Sequence, residues 1–269
     1  MKTRVSTEQV LESKAYSYFK YIEPPVEPEY ADVSFGSIVR ELSAIELGSY
    51  RLYKHQYEAY EELMKGRNVV MVAGTGSGKT EAWFLYFSSR IKENKTYTAI
   101  AVYPTLALAN DQVKRLEKYM SLLGKNIMQI DSIRKEELVK LHGLTWLKTS
   151  IANSNLVVTN PAFLLHDMKK YFIKKNSAVL SPIYHRLNML VIDELDFYSP
   201  RSIALLLGMI KLLARITEEK LQVVVLSAGL SNPEDLCEVL AKDAGRECSV
   251  IRGKPFRVEN HVYVVLGKN

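Results

Sequence analysis

The sequence predicts an α/β fold, a mainly parallel sheet with helices on both faces, and three observations predict it. Short, nearly continuous apolar runs alternate with helix-length amphipathic segments. A glycine-rich loop closes one of those runs, and a pair of acidic residues closes another.

The apolar runs lie at residues 68–73, 98–103, 156–159, 189–192 and 222–226. Each is short and most are rich in β-branched residues, as parallel strands covered on both faces should be. Between them the spacing is helical. Leu106, Ala109, Val113, Leu116 and Met120 make one apolar stripe; Ile203, Leu206, Leu207, Ile210, Leu213 and Ala214 make another. Strands alternating with helices imply βαβ units, whose ligands sit outside the carboxyl ends of the strands. Ahead of this pattern, residues 15–30 are rich in aromatics and then in prolines, which predicts an extended arm. Residues 35–47 have helical spacing, with Ile38, Leu42 and Ile45 on one face. The expected division is an N-terminal extension over residues 1–50 and an α/β domain over residues 51–269.

Composition bounds the function without naming it. The chain is 47% hydrophobic and 25% charged, enough for a substantial core and far from a disordered composition. A formal charge of +6 is compatible with a polyanionic partner and does not establish one. The two cysteines, Cys237 and Cys248, are too few for a four-cysteine metal site and are expected as small buried apolar side chains. No apolar run approaches the roughly 20 residues that span a bilayer, and the opening residues do not read as a signal peptide. A soluble, intracellular (cytoplasmic) protein is expected.

The strongest local signal is Ala73-Gly74-Thr75-Gly76-Ser77-Gly78-Lys79-Thr80, which follows the apolar run 69–72 and precedes a helix beginning at Glu81. In that strand–loop–helix setting, the glycines let successive amides point at phosphate oxygens, aided by the helix N-terminus. Residues 74–81 are thus the expected nucleotide-binding set: Gly74, Thr75, Gly76, Ser77, Gly78, Lys79, Thr80 and Glu81. Lys79 is expected to reach the β- and γ-phosphates of a nucleotide, and the Thr80 hydroxyl to ligate Mg²⁺. The second element is Asp193-Glu194-Leu195-Asp196 at the end of run 189–192. Asp193 is placed to hold the Mg²⁺ shell, and Glu194 to orient and deprotonate an attacking water. The expected catalytic set is Lys79, Asp193 and Glu194.

With these two elements in place, Arg51-Leu52-Tyr53-Lys54-His55-Gln56 completes a pattern that resembles the DEAD/DEAH-box helicases of superfamily 2. Tyr103-Pro104-Thr105-Leu106-Ala107-Leu108-Ala109-Asn110-Asp111-Gln112 is similar to that family's motif Ia, in wording nearest to the large DEAH-type DNA repair helicases. Thr159-Asn160-Pro161 resembles motif Ib, and Ser227-Ala228-Gly229 resembles motif III. The matches run in order from about residue 50 to residue 255. The resemblance implies a RecA-like P-loop NTPase domain, the first of two lobes, using ATP and Mg²⁺. It implies that Gln56 reads the adenine edge. It also implies that Thr105, Thr159 and Asn160 touch the backbone of a nucleic-acid strand, with single-stranded DNA favoured. Pro104-Thr105 and Asn160-Pro161 also read as plain helix starts.

The sequence departs from the family in three places. Leu195 and Asp196 stand where alanine and histidine are usual, and Gly229 replaces the threonine that ends motif III. Ile130-Asp131-Ser132 stands where a glycine–aspartate–threonine turn is common. The resemblance further implies a second lobe, with arginine fingers worth roughly 10³–10⁵ in rate, in another part of the protein or in a partner subunit. Weak or undetectable hydrolysis by this chain alone is expected. The competing readings are a non-catalytic nucleotide- and nucleic-acid-binding scaffold, a subunit of a split helicase, and a self-sufficient small-molecule kinase. For the kinase no acceptor lid is seen. The cluster at residues 169–175 has two readings: basic residues around aromatics that track a nucleic-acid strand, or, more simply, a solvated helix with Tyr171, Phe172 and Ile173 packing inward.

Overall fold

The computed structural model describes residues 5–218, 220–254 and 256–267. The chain divides into two compact units: residues 29–254, and the terminal segments on either side of them. The division expected at residue 50 falls inside the larger unit.

The larger unit is built on seven parallel strands: β1 (Asn68–Val72), β2 (Thr98–Val102), β3 (Ile127–Gln129), β4 (Leu156–Thr159), β5 (Leu187–Ile192), β6 (Gln222–Ser227) and β7 (Cys248–Arg252). Their order across the sheet is β7-β1-β6-β5-β2-β4-β3. The five apolar runs are the five inner strands. The two that escaped the sequence pattern, β3 and β7, are the sheet's edges, and their residues are mostly half-buried. An edge strand has one neighbour and less cover, so it lacks the continuous apolar run of a central one.

Alternation along each inner strand feeds two cores, one per face. Val69, Ala99, Ala101, Met189, Val191, Val224 and Leu226 face one way. Val70, Ile100, Val102, Leu190, Ile192, Val223 and Val225 face the other. The helices that cover them are α1 (Lys54–Met64), α2 (Lys79–Glu93), α3 (Leu106–Leu122), α4 (Ser132–His142), α5 (Leu144–Ala152), α6 (Pro161–Ile173), α7 (Pro200–Ile216) and α8 (Pro233–Ala244). Helix α2 buries 11 of its 15 residues, and its Trp83, Phe84 and Phe87 rings pack on one another. That all-round burial follows from its position, because Phe35, Val39 and Leu42 join the core cluster that contains it. Both predicted stripes form, although Leu106 at the start of α3 is exposed.

Residues 35–47 do not make the single helix that their spacing suggested. They break into Phe35–Ile38, a 3-10 turn Arg40–Ala44, and Glu46–Ser49. The cause is a close backbone approach. A Cβ on Gly48 would lie 2.3 Å from the Leu42 carbonyl oxygen, so only glycine lets the chain fold back there.

Two further expectations are corrected. Cys237 of α8 and Cys248 of β7 are joined as a disulfide rather than packed as separate thiols. In the 169–175 cluster only Tyr171 packs inward, while Phe172 and Ile173 are exposed. Successive helical residues are about 100° apart, so three in a row cannot share one face. The smaller unit contains the strand Asn260–Val265. In the smaller unit that strand pairs antiparallel with Tyr18–Glu23, part of the arm predicted to be extended. Among the described residues no helix is long and apolar enough to cross a membrane.

Register sets the functional edge. Val72 pairs with Ser227, Ile192 with Val102, and Val102 with Thr159. The phosphate loop, Asp193, Pro104-Thr105, Asn160 and Ala228 therefore all leave the sheet at its carboxyl edge.

Candidate nucleotide site and nucleic-acid face

The loop between β1 and α2 is held at its base by the Ala73 amide, which donates to the Ser227 carbonyl at 3.1 Å. Gly76 and Gly78 have φ of +80° and +72°, in the left-handed region that glycine tolerates. At Gly78 space is a second constraint, since a Cβ there would lie 2.2 Å from Gln56 Nε2. The Lys79 ammonium is buried and donates to the Ala73 carbonyl at 3.0 Å and to Gly74 at 3.4 Å. It stands 4.0 Å from Glu194 Oε1. The Thr80 hydroxyl donates to Asp193 Oδ2 at 3.4 Å.

Asp193 is anchored by its own amide, which donates to the Val102 carbonyl at 3.0 Å. Its Oδ1 accepts from the Glu194 amide at 2.8 Å. Burial, and then the neighbouring Glu194 charge, push the Asp193 carboxyl up to about 7. Glu194 has φ of +51°, a strained setting for a residue with a Cβ, and it remains partly open to solvent. A buried carboxylate beside a second one, with a hydroxyl in reach, is a donor set that fits a hard divalent cation. Mg²⁺ commonly takes one or two protein oxygens, with phosphates and water completing its shell.

Gln56, Thr75, Gly76, Gly78, Lys79, Thr80, Glu81, Asp193 and Glu194 line one cleft of about 1020 Å³. Gly74 and Ser77 shape the loop without lining that cleft. Gln56 is buried; its Oε1 accepts from the Tyr53 amide and its Nε2 donates to the Gly78 carbonyl, both at 2.9 Å. The other wall is one that the sequence did not disclose. It comes from residues 30–51, including Tyr30, Tyr50 and Arg51, with Tyr30 stacked on Tyr53 at 5.2 Å. Glu81 pairs with Arg115 of α3 at 2.6 Å, tying the phosphate-loop helix to the helix of motif Ia.

Asp196, noted as a departure, accepts from the Ser227 hydroxyl at 2.9 Å and from the Ala228 amide at 3.0 Å. Burial pushes its carboxyl up, but those two donors outweigh it and leave it below the usual range. The sequence signal was there: an extra carboxylate just beyond the acidic pair needs donors, and motif III supplies them.

Thr105 and Asn160 are helix caps. Thr105 Oγ1 accepts from the Leu108 amide at 3.3 Å, and Asn160 Oδ1 from Phe163 at 2.9 Å. Both line a second cleft at the same sheet edge. Thr159 does not line it: it is buried, and its hydroxyl has no hydrogen-bond partner among the described residues. Asp131 also caps a helix, accepting from the Ile133 and Arg134 amides.

A glycine-rich loop between a parallel strand and a helix, facing an acidic strand end, defines a P-loop NTPase domain with a RecA-like sheet. The sequence pattern of the DEAD/DEAH box helicase family matches residues 53–236, and the chain belongs to that family. It is 28% identical over 217 residues to an uncharacterized ATP-dependent helicase, YprA, of Bacillus subtilis, covering 77% of this chain and 25% of that protein. It is 25% identical over 209 residues to the ATP-dependent DNA helicase Hel308 of Thermoplasma acidophilum, covering 77% of this chain and 27% of the relative. In fold it is similar to the helicase MrfA bound to DNA and AMPPNP, with a TM-score of 0.72 at 23% identity, covering 97% of this chain and 36% of that one. The chain spans about a quarter of the length of the curated relatives it matches.

Proposed function

We propose that this chain is the ATP-binding lobe of an ATP-dependent nucleic-acid helicase or translocase, with DNA as the favoured track. The observation that carries the reading is the convergence of Lys79, Thr80, Asp193 and Glu194 at one sheet edge. Lys79 binds the terminal phosphates with its charge. Thr80 and Asp193 hold Mg²⁺, which when bound neutralises charge developing on the phosphate oxygens. Glu194 stands at the open side of the site, where it orients a water and takes its proton. Gln56 reads the adenine edge from behind the loop. Residues 30–50 and the domain from residue 51 act together, since those residues supply the wall opposite the loop.

Thr105 and Asn160, at two helix N-termini, hold the backbone of a single strand, and buried Thr159 ends the strand that delivers Asn160. DNA is favoured because relatives include a DNA helicase and a helicase crystallised on DNA. In this reading, a second RecA-like lobe completes the ATP site with arginine fingers, as the relatives' greater length allows. The chain alone therefore binds ATP and turns it over weakly. Calorimetry with ATP·Mg²⁺ and with single-stranded DNA, alongside a phosphate-release assay, tests this. Fast turnover by the chain alone would remove the need for a second lobe, and absent nucleotide binding would end the reading.

One observation favours a scaffold as the second reading. Gly229 lacks the hydroxyl expected in motif III, and its amide and carbonyl both engage the Ser227 hydroxyl. A scaffold would bind ATP and strand independently. A motor lobe shows a strand affinity that changes with nucleotide.

Thr105 supplies a smaller test. Thr105→Ala is expected to cost about 1 kcal/mol through the lost cap, lowering Tm by roughly 2–4 °C. Strand binding should weaken severalfold, equally for every base sequence. A sequence-dependent loss in filter binding would contradict a backbone contact.

A further inference from the structure

The second cleft holds about 540 Å³, and among the described residues no charged side chain lines it. Its rim is made by the caps of three helices. Thr105 caps α3, Asn160 caps α6, and Ser199 caps α7, accepting from the Ser202 amide at 3.3 Å. In each, the cap takes one first-turn amide; the earlier amides have no carbonyl within the helix to reach. Three helices of 17, 13 and 17 residues therefore turn their positive ends toward one opening. The apolar part of the lining comes from Pro104, Pro161, Leu165, Leu205 and Met209. At its side stands Phe197, an aromatic ring 64% exposed in the turn that follows the acidic pair.

A phenylalanine left in solvent beside an apolar cleft is a surface in want of an occupant, and the rim specifies which kind. An apolar helix of a partner protein would match the interior and waste three anion-attracting helix ends. A free phosphate would match the rim and leave the interior empty. A nucleotide unit of a single strand matches both, with phosphate at the rim and a flat π-face for the ring. Tyr198, next in the chain, also lines the cleft. Its hydroxyl is buried without a partner among the described residues, and the nearby Asp193 charge helps burial hold it protonated. The cleft wall and the proposed metal site are thus adjacent in the chain and in space.

We propose that this cleft is a nucleobase pocket, in which Phe197 stacks one base of the strand whose phosphates lie on the α3, α6 and α7 N-termini. The inference rests on the strand-binding reading above and adds a base contact to it. Every base has a π-face, so the pocket selects single strands without reading sequence.

The test compares an oligothymidine with an abasic oligonucleotide of the same length and phosphate count, using fluorescence anisotropy on wild type, Phe197→Ala and Phe197→Trp. Wild type should favour the base-bearing strand about tenfold, within the range of one base–aromatic stack. Phe197→Ala should lose that preference while keeping the abasic affinity, and Phe197→Trp should restore it. Because Phe197 is exposed, its removal should leave Tm and ATP binding unchanged, and both are measured alongside. Equal wild-type affinity for the two strands overturns the pocket while leaving strand binding intact. So does an equal loss on both strands in Phe197→Ala. If wild type binds neither strand, the strand-binding reading fails and the pocket with it. A hydrophobic peptide held in the cleft in place of a strand also overturns the pocket.

Discussion

Lys79→Ala is expected to weaken ATP binding by roughly a hundredfold and to leave the fold intact. The ammonium lies under the loop on the Ala73 and Gly74 carbonyls, 4.0 Å from Glu194. It is poised to exchange those carbonyls for phosphate oxygens. Hydrogen bonds to charged groups contribute about 1.5–3 kcal/mol each, so losing one or two of them amounts to about 3 kcal/mol, or two decades in Kd. The free protein changes less, because water can reach the loop once the side chain is gone. Lys79→Arg should not rescue binding: the site is buried and shaped for a compact ammonium, and the planar guanidinium needs more room. Calorimetry on the three proteins, with melting curves as a control, decides the matter. Wild-type affinity in Lys79→Ala would mean that the loop does not grip the terminal phosphates.

The residues that a single strand presents in order were legible in the sequence, and those that long-range folding brings in were not. The phosphate loop and Asp193-Glu194 each follow one inner strand, so strand pattern and motif located them together. Asp193 and Thr80 are 113 residues apart in sequence, yet they come within hydrogen-bond reach because parallel strands share one ligand edge. The wall from Tyr30 to Arg51 was missed because it depends on Gly48 letting the chain double back, a contact that no periodicity encodes. The edge strands β3 and β7 were missed because half-buried strands lack an apolar run. The disulfide escaped for a related reason: β7 was not recognised, so nothing placed Cys248 beside α8. Thr105 and Asn160 fit two descriptions at once, helix cap and strand contact. A capping oxygen at a helix N-terminus is also where an anion binds, so the sequence pattern alone could not separate the two.

Asp193→Asn should stabilise the metal-free protein at pH 8 while destroying its response to ATP·Mg²⁺. In the folded chain the carboxyl titrates near 7, against an ordinary value of 3.8. A raised folded value means that the native state holds its proton more tightly than the unfolded one. The associated stability is complete below about pH 4 and is lost as pH climbs through 7. At pH 8 the wild-type protein carries a buried, ionised carboxylate next to Glu194 and is weaker by a few kcal/mol. Asparagine keeps an oxygen to accept from the Glu194 amide and carries no charge at any pH, so it escapes that penalty. The advantage of Asp193→Asn should therefore be largest at pH 8 and roughly halve by pH 5.5. Bound Mg²⁺ reverses the ranking, because the cation makes the Asp193 carboxylate the favoured form and the variant has none at that position. Scanning calorimetry at pH 5.5 and 8, with and without ATP·Mg²⁺, reads all four cases. A variant less stable than wild type at pH 8 without metal would show that Asp193 holds the fold together. The expected gain would instead mark its burial as a strain retained for the sake of the cation.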